Sequence, residues 1–416
     1  MVKRARMSRR QFLTASGVVG AAALAAGATE VPWSSLFAAA SRAPLAAGSG
    51  ILVLVTLYGG NDGLSTVVPY ADPAYHSARP DLAYSEAEVL HLDDQLGLNP
   101  SMTSLANLWR AGRLAVVRGV SYPSPDLSHF RSMAIWQTAS PGTPEPTGWL
   151  GRWLDATGTD PLRAVGVGPT LPPLLAGAKV AGATVNPGPI ILPGGALGSA
   201  LRAVEQPYPG ETELLGRAAQ TGADLFTVAD RLGPVLAALD GGGRTGATVT
   251  GPIRENASGE LARSLAAVRA CIAASVPTRV YAVSMGNFDT HADEKGTQSQ
   301  LIGEFDSAMG QFLDGLENVP HGKDVVVVAY TEFGRRVAAN ASQGTDHGTA
   351  NDVFVAGPSI RGGFYGGQPS LTDLDLGNLK WSVDFRSIYA TVLERVLGVD
   401  ASVSLGTQPL PRLSFI

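Results

Sequence analysis

Hydrophobic residues fall into two kinds of run that alternate along much of this chain. Five short, continuous apolar runs, rich in β-branched residues, predict strands that are buried on both faces of a sheet; they cover residues 51–57, 114–120, 279–285, 323–333 and 351–357. Five segments with apolar positions near helical spacing predict helices, over residues 101–112, 127–138, 260–276, 298–319 and 384–398. Because strands and helices alternate, the pattern indicates an α/β fold with a mostly parallel central sheet covered on both faces.

Two stretches rich in glycine and proline interrupt this alternation. Residues 166–210 are expected to form short strands and turns that lie over the edge of the sheet, and residues 240–258 are expected to form a loop. We therefore predict one large domain over residues 41–416, with a Pro/Gly-rich insertion at about 166–258. Hydrophobic residues make up 45% of the chain and charged residues only 16%, which is enough apolar material for a core of that size.

The N-terminal 40 residues have the composition of a secretion signal. Five cations precede a weakly apolar, Gly/Ala-rich stretch over residues 12–28, which is followed by the small-residue site "FAAAS". The pair Arg9-Arg10 within "SRRQFL" predicts a twin-arginine signal, which the twin-arginine translocase recognises. The apolar stretch is too weak for a stable transmembrane helix. We expect export by this pathway, to the periplasm or the extracellular space.

Charge and cysteine content narrow the possible functions. The net charge is −5, and it becomes −9 for the residues after position 40, because that segment holds five basic residues and one acidic residue. Such a charge argues against a nucleic-acid partner. The single cysteine, Cys271, cannot form an internal disulfide and lies in an apolar helical pattern, so we expect a buried hydrophobic residue.

Polar residues follow several of the predicted strands directly. In open parallel sheets, ligands bind beyond the carboxyl ends of the strands, so these residues are expected to converge there. Mixed carboxylate and imidazole ligands suit one or two divalent ions, Zn²⁺ or Mn²⁺, with Ca²⁺ or Mg²⁺ as alternatives. Without an ion, such carboxylates would repel one another in a cleft. The candidate metal ligands are Asp62, Asp289, His291, Glu332, Asp346 and His347.

Each of these residues also has an ordinary structural explanation. Asp62 could cap a turn after its strand, and the tripeptide "DTH" that holds Asp289 and His291 is common in loops. Glu332 could pair with Arg335 or Arg336, and His347 could be a loop histidine. The joint pattern is stronger, because each polar group falls at the same end of a different predicted strand. The glycines on either side of "TDH" would let the backbone turn so that His347 reaches the metal, with Asp346 orienting it or binding beside it.

Several long motifs resemble the bacterial exported family called domain of unknown function 1501. They are "YGGNDGLSTVVPY", "SHFRSMAIWQT", "FDTHADEKGTQ", "TEFGRRVAANASQGTDHGTAND" and "DFRSIYATVLERVLG", and they span essentially the whole predicted mature chain. That family is regarded as related to the alkaline phosphatase and sulfatase superfamily. The resemblance therefore implies an alkaline phosphatase-like three-layer α/β/α sandwich that hydrolyses or transfers phosphate or sulfate esters at a metal centre.

The resemblance also implies individual roles. Asp62, the pair Asp289 and His291, Glu332 and His347 would bind metal, and Ser128 would be the nucleophile, with Ser65, Ser132 or a water as alternatives. Arg335 and Asn61 would stabilise the charge that develops on the ester. The sequence departs from the superfamily pattern at two places. Asp289 and His291 are spaced Asp-x-His rather than by the longer spacing common in the superfamily, and Phe333 stands where a histidine is expected. The resemblance therefore leaves open whether one metal site is incomplete or absent.

Three functions follow from these expectations. The first is an exported metal-dependent hydrolase that acts on a small-molecule or polysaccharide ester. The second is a catalytically degenerate relative that binds a polysaccharide or a partner protein without turnover. The third is an envelope protein that keeps a purely structural ion, which chelation would destabilise.

Overall fold

A nine-stranded sheet runs through the centre of the computed structural model, which describes residues 30–186 and 259–416. The strands of the described residues are β1 (Ile51–Leu57), β2 (Val67–Val68), β3 (Leu90–His91), β4 (Gly97–Leu98), β5 (Leu114–Ser121), β6 (Ala164–Val167), β7 (Ala183–Val185), β8 (Val280–Met285), β9 (Val325–Tyr330), β10 (Arg335–Ala339), β11 (Thr345–His347), β12 (Asn351–Ala356), β13 (Gly363–Gly366), β14 (Leu374–Asp375), β15 (Asn378–Leu379) and β16 (Val383–Asp384).

The helices surround this sheet. They are α1 (Trp33–Arg42), α2 (Gly63–Thr66), α3 (Pro73–Ala78), α4 (Thr103–Arg110), α5 (His129–Thr138), α6 (Trp149–Thr157), α7 (Glu260–Ala273), α8 (Glu294–Asp314), α9 (Phe385–Arg395) and α10 (Ser402–Leu405). Short 3-10 turns lie at Pro161–Arg163, Pro173–Leu175 and Gly322–Asp324.

The order of strands across the sheet is β13–β5–β12–β9–β1–β8–β6–β7, and β16 also pairs with β5. Every pair is parallel except the two made by β12, which runs antiparallel to β9 and to β5. The predicted mostly parallel sheet is confirmed. Because β12 runs the opposite way, its first residue lies at the edge where its neighbours end. The segment that leads into β12, which includes His347, therefore reaches the carboxyl edge of the sheet.

The central strand β1 is buried along its whole length. Val53 and Val55 pack with residues of α4, α7 and α8 on one face, whereas Leu52 and Leu54 pack with residues of α5, α6 and α9 on the other. Side chains alternate between the two faces of a strand, so a continuous apolar run is what such a doubly covered position requires. Helices on both faces make the three-layer α/β/α arrangement that was predicted.

The predicted helix boundaries agree less closely with the structure than the predicted strand boundaries do. Helix α8 begins at Glu294, four residues before the predicted start, because its first turn buries the polar side chains of Glu294 and Gln298 rather than apolar ones. An apolar pattern cannot reveal such a turn. Asp384 caps the start of α9, because its carboxylate accepts a hydrogen bond from the Arg386 amide at 3.0 Å.

The predicted insertion contributes to the central sheet in its described part. Strand β6 pairs in parallel with β8, and β7 pairs in parallel with β6, so both extend the sheet at its edge instead of lying over it. Residues 187–258, including the predicted loop at 240–258, lie outside the described residues.

Helix α1 packs into the core on the same face as α7 and α8. Trp33, Leu36 and Phe37 are at most 6% exposed, and the Val31 amide donates to the Thr184 carbonyl at 2.9 Å. The predicted signal boundary at residue 40 would divide this helix. The twin-arginine motif lies outside the described residues. Among those that are described, no helix combines the length and hydrophobicity needed to cross a membrane.

Candidate metal centre

Three histidines converge on one carboxylate oxygen at the carboxyl edge of the sheet. Oδ1 of Asp289, in the loop after β8, lies 3.3 Å from Nε2 of His129, 3.0 Å from Nε2 of His291 and 3.2 Å from Nε2 of His347. The Nε2 atoms of His291 and His347 are themselves 3.0 Å apart. The side chain of Asp289 is 46% exposed, so the cluster is open to solvent on one side.

The other nitrogen of each imidazole ring faces an acceptor. A neutral imidazole that donates through Nδ1 carries its lone pair on Nε2, where it can bind an ion. Nδ1 of His129 lies 2.7 Å from Glu332 Oε1 and Nδ1 of His347 lies 2.8 Å from the Leu127 carbonyl, both at hydrogen-bond distance, whereas Nδ1 of His291 lies 3.4 Å from Asp346 Oδ1.

This arrangement directs three nitrogen lone pairs and a carboxylate oxygen at one another. Nε2 of His129 is buried and has no hydrogen-bond partner. Ligand atoms in a tetrahedral zinc site, with bonds of about 2.0–2.1 Å, lie about 3.3–3.4 Å apart, close to the observed separations. The ligand atoms of His129, Asp289 and His347 all lie within 4.8 Å of one another. These three residues therefore fit a divalent cation, and His291 lies outside that group, in contact with Asp289 and His347.

The protonation states of Asp289 and His347 at neutral pH suit the same role. Burial raises the pKa of Asp289, but the hydrogen bond and charge of Arg335 outweigh this effect and lower that pKa to about 2. Partial burial lowers the pKa of His347. The hydrogen bond to Glu332 raises the pKa of His129, against the effect of its burial. Asp289 is thus a carboxylate and His347 a neutral imidazole, as metal ligands require.

Arg335 does not face the open side of the cluster. It is 1% exposed, and its guanidinium is used entirely within the protein. Its role in the structure is to hold Asp289 and the loops around it, rather than to supply the charge-stabilising donor that was predicted. Its acceptors are the carbonyls of Gly60 (2.7 Å), Thr345 (2.9 Å), Gly59 (2.5 Å) and Phe288 (3.0 Å), and Oδ1 of Asp289 (2.7 Å).

Asn61, the second predicted charge-stabilising residue, is buried to 2% exposure. Its side-chain amide donates to the Thr66 hydroxyl at 3.1 Å, and its side-chain oxygen accepts from Gln298 at 2.7 Å. These bonds tie the loop after β1 to α8. They leave Asn61 facing the interior, away from any ester bound at the cluster.

The structure does not bring Asp62 to the metal cluster. Its carboxylate forms a bidentate ion pair with Arg79, and neither side chain is exposed. The charge of Arg79 lowers the pKa of Asp62 despite complete burial. Burial and the neighbouring charge of Asp62 raise the pKa of Glu294 to about 9, so this pair carries a single negative charge against Arg79 at neutral pH. Sequence reasoning missed Arg79, which follows the short helix α3, because no pattern there points to a buried cation.

Glu332 also differs from its predicted role as a ligand. Its side chain is 1% exposed, and both carboxylate oxygens are occupied by protein donors. Oε1 accepts from His129 and from the Gly59 amide at 3.0 Å, and Oε2 accepts from the Thr331 hydroxyl at 2.9 Å. Gly59 has φ +114°, and a Cβ there would lie 2.6 Å from the Asp289 amide, so only glycine fits this turn.

The three predicted nucleophiles lie in different surroundings. Ser132 is fully buried and donates to the Glu332 carbonyl at 2.5 Å, and Ser65 is buried beside Arg79. Ser128 is exposed and precedes α5. Of the three, Ser128 alone is exposed and stands next to a residue of the cluster, His129.

His129 is the cluster residue that sequence reasoning missed. It follows Ser128 at the start of α5, so the criterion that selected Ser128, a polar residue at a helix start after a strand, also applied to His129. The two residues differ in the direction of their side chains, which the sequence does not reveal. Phe333, which stands where a histidine was expected, packs its ring 4.7 Å from that of His129 and 4.9 Å from that of His347. Phe333 thus packs against two of the candidate ligands, His129 and His347.

The motif "QGTDHG" brings His347 to the site through the β10–β11 hairpin, in which Arg335 pairs with His347. A Cβ on Gly344 would lie 2.2 Å from the backbone of His291, so a glycine is needed where these two segments meet. Asp346 was predicted to orient His347 or to bind the metal beside it, but its carboxylate contacts His291 instead.

Comparison with known proteins agrees with part of the predicted resemblance. The family model described as "Protein of unknown function (DUF1501)" matches residues 238–408, and a model of the twin-arginine translocation signal sequence matches residues 6–26. The second match supports export by the twin-arginine pathway. No curated protein matches this chain.

The chain is also similar to solved structures. A protein in the alkaline phosphatase superfamily from Vibrio parahaemolyticus is 12% identical, with a TM-score of 0.38 over 98% of this chain and 80% of that one. A lipoteichoic acid synthase from Listeria monocytogenes is 10% identical, with a TM-score of 0.38 over 87% and 75%. A 2-O GAG sulfatase is 12% identical, with a TM-score of 0.29 over 75% and 65%. Values this low do not establish an activity, and the fold described above stands on the sheet topology of this chain.

Proposed function

We propose that this protein is an exported metal-dependent hydrolase that acts on phosphate or sulfate esters. The observation that supports the proposal is the convergence of three imidazole Nε2 atoms on one carboxylate oxygen, with Nδ1 of His129 hydrogen-bonded to Glu332 and Nδ1 of His347 to the Leu127 carbonyl. The ion would be held by His129, Asp289, His291 and His347. Three nitrogens and one oxygen favour Zn²⁺ over Mg²⁺ or Ca²⁺, which prefer oxygen ligands.

A divalent cation bound there supplies Lewis acidity, which polarises an ester oxygen and lowers the pKa of a nearby hydroxyl or water. The protein's own contribution is to orient the ligands and to present a nucleophile. Ser128 is exposed and lies between Leu127, whose carbonyl accepts from His347, and His129. This position supports Ser128 as the attacking group. The ester class itself rests on the sequence motifs shared with the family, rather than on the geometry of the cluster.

A second function, binding without turnover, is favoured by one observation. Both side chains that were expected to stabilise developing charge, Arg335 and Asn61, are buried and fully hydrogen-bonded. Removing a single donor of this kind from an active site typically costs about 10²–10³ in rate. A protein that holds an ion but has no free donor could bind an anionic ligand at the metal without hydrolysing it.

Metal analysis and an ester panel test the proposal together. Protein purified after native export should contain a divalent ion by elemental analysis. It should hydrolyse chromogenic phosphate or sulfate esters, lose activity on chelation and regain it on reloading with Zn²⁺ or Mn²⁺. The Ser128→Ala variant should keep its metal and lose turnover. Bound metal without turnover on any ester would favour the binding function, and a chain without bound metal would contradict both.

A further inference from the structure

Glu332 is held by protein donors on both of its carboxylate oxygens. It follows β9, the strand next to β1 in the middle of the sheet, and its side chain is 1% exposed. Two protein donors other than His129 fix its carboxylate, the Gly59 amide at 3.0 Å and the Thr331 hydroxyl at 2.9 Å. A carboxylate fixed in this way can impose both a direction and a protonation state on the imidazole that it contacts.

We infer that Glu332 is a positioning residue that binds the Nδ1 proton of His129 and thereby directs the Nε2 lone pair of that ring at the ion. This inference rests on the metal centre of the proposed function. Carboxylate partners of metal-binding histidines fix the tautomer and raise the basicity of the ring, and losing one typically weakens metal affinity by about 10–100-fold.

The geometry separates this role from direct ligation. Glu332 contacts Nδ1 of His129 at 2.7 Å, while Nε2 of the same ring lies 3.3 Å from Oδ1 of Asp289. The Nδ1–H bond and the Nε2 lone pair point away from each other. An ion bound to Nε2 would therefore lie on the opposite side of the imidazole from Glu332. Glu332 would influence that ion only through its hydrogen bond to the ring of His129.

His129 differs from the other two histidines in the partner that anchors it. His347 donates to a neutral backbone carbonyl, and His291 faces Asp346, whose side chain is 58% exposed. His129 alone is anchored by a buried carboxylate, where the interaction is least screened by water. The affinity of the site should therefore depend strongly on Glu332.

A double-mutant cycle tests the inference. Zinc affinity would be measured by competition with a chromophoric chelator for the wild-type chain, Glu332→Gln, His129→Ala and the double variant. Glutamine keeps the shape of the side chain and removes its charge. We expect Glu332→Gln to weaken zinc binding by about 10–100-fold in the wild-type background and to leave it unchanged in the His129→Ala background. Equal weakening in both backgrounds, or none in the wild-type background, would overturn the inference.

Asp306→Asn is the matched control. Asp306 is another buried carboxylate, but it accepts from the amides of Ser104 and Leu105 at the start of α4 and contacts no residue of the cluster. This variant should lose stability without losing zinc affinity. A loss of affinity as large as that of Glu332→Gln would show a general effect of removing a buried charge and would contradict the positioning role.

A second readout needs no metal. Ring ¹⁵N chemical shifts of metal-free protein, recorded well above the imidazole pKa, should show His129 protonated at Nδ1 in the wild-type chain and a mixture of tautomers in Glu332→Ala. If the wild-type chain bound no zinc, the proposed hydrolase would fail, and these shifts would still decide the role of Glu332. An unchanged Nδ1 tautomer in Glu332→Ala would overturn it.

Discussion

The Nε2 atoms of His291 and His347 lie 3.0 Å apart, and the Nδ1 atom of each ring faces an acceptor. Either ring can donate a hydrogen bond to the other, and both Nε2 atoms lie within 3.2 Å of Oδ1 of Asp289. A cation between these three atoms would replace that shared proton, so the pair supports the proposed metal centre.

Replacing His347 with alanine should remove most of the metal affinity, by at least about 100-fold, since a direct ligand contributes more than an outer partner does. Titration with zinc against a competing chelator would measure the loss. His91→Ala is the control, because His91 is an exposed histidine that contacts Tyr70, away from the cluster. Unchanged metal affinity in His347→Ala would remove His347 from the site.

Asp62→Asn should destabilise the fold and leave metal affinity unchanged. The substitution leaves Arg79 as a buried charge with a weakened partner, at a cost of about 3–5 kcal/mol in the free energy of unfolding. Urea unfolding and zinc titration would measure the two effects separately. Asp352→Asn breaks the comparable buried pair with Arg118 and serves as the control. A loss of zinc affinity in Asp62→Asn alone would restore Asp62 as a ligand.

Glu294 should make the protein less stable as the pH rises. Its pKa is raised from 4.5 to about 9 in the folded chain, so between these values the folded state holds a proton that the unfolded state has released. Stability then falls with increasing pH, by on the order of 1 kcal/mol per pH unit.

Glu294→Gln cannot ionise, and its amide can donate to Asp62 as the protonated acid does. We expect its melting temperature to decline less steeply than that of the wild-type chain between pH 5 and pH 9, roughly the window set by the two pKa values. Parallel curves for the two proteins would show that Glu294 ionises normally in the folded state.

Helix α1 should be needed for full stability. A chain beginning at Thr29 keeps Trp33, Leu36 and Phe37 in the core, whereas one beginning at Ser41 lacks all three. Burial of each such side chain contributes about 1.5–3 kcal/mol, so the shorter chain should be several kcal/mol less stable in urea. Equal stability of the two chains would support the predicted signal boundary at residue 40.

The sequence predicted the sheet well because a strand buried on both faces must be apolar throughout. The run at 51–57 matches β1 residue for residue. The sequence also predicted that Asp289, His291 and His347 lie close together, since the carboxyl ends of parallel strands share one edge of the sheet. The antiparallel direction of β12 could not be predicted from its pattern, yet it is what carries His347 to that edge.

Side-chain direction accounts for the parts of the site that sequence reasoning did not find. His129 and Ser128 are consecutive, and only the helix start decides which of them points at Asp289. Glu332 has the chemistry of a ligand, but its two oxygens accept hydrogen bonds from the Gly59 amide and the Thr331 hydroxyl. The partner of Asp62 is Arg79, which no local pattern connects with it.

X-ray absorption spectroscopy at the metal edge of natively exported, zinc-loaded protein tests the central claim most directly. We expect a first shell of imidazole nitrogens and one carboxylate oxygen at about 2.0–2.1 Å, with the outer-ring scattering of histidine, and loss of one imidazole in His129→Ala. A shell made only of oxygen ligands, or a spectrum that His129→Ala does not alter, would contradict a metal centre built on these histidines.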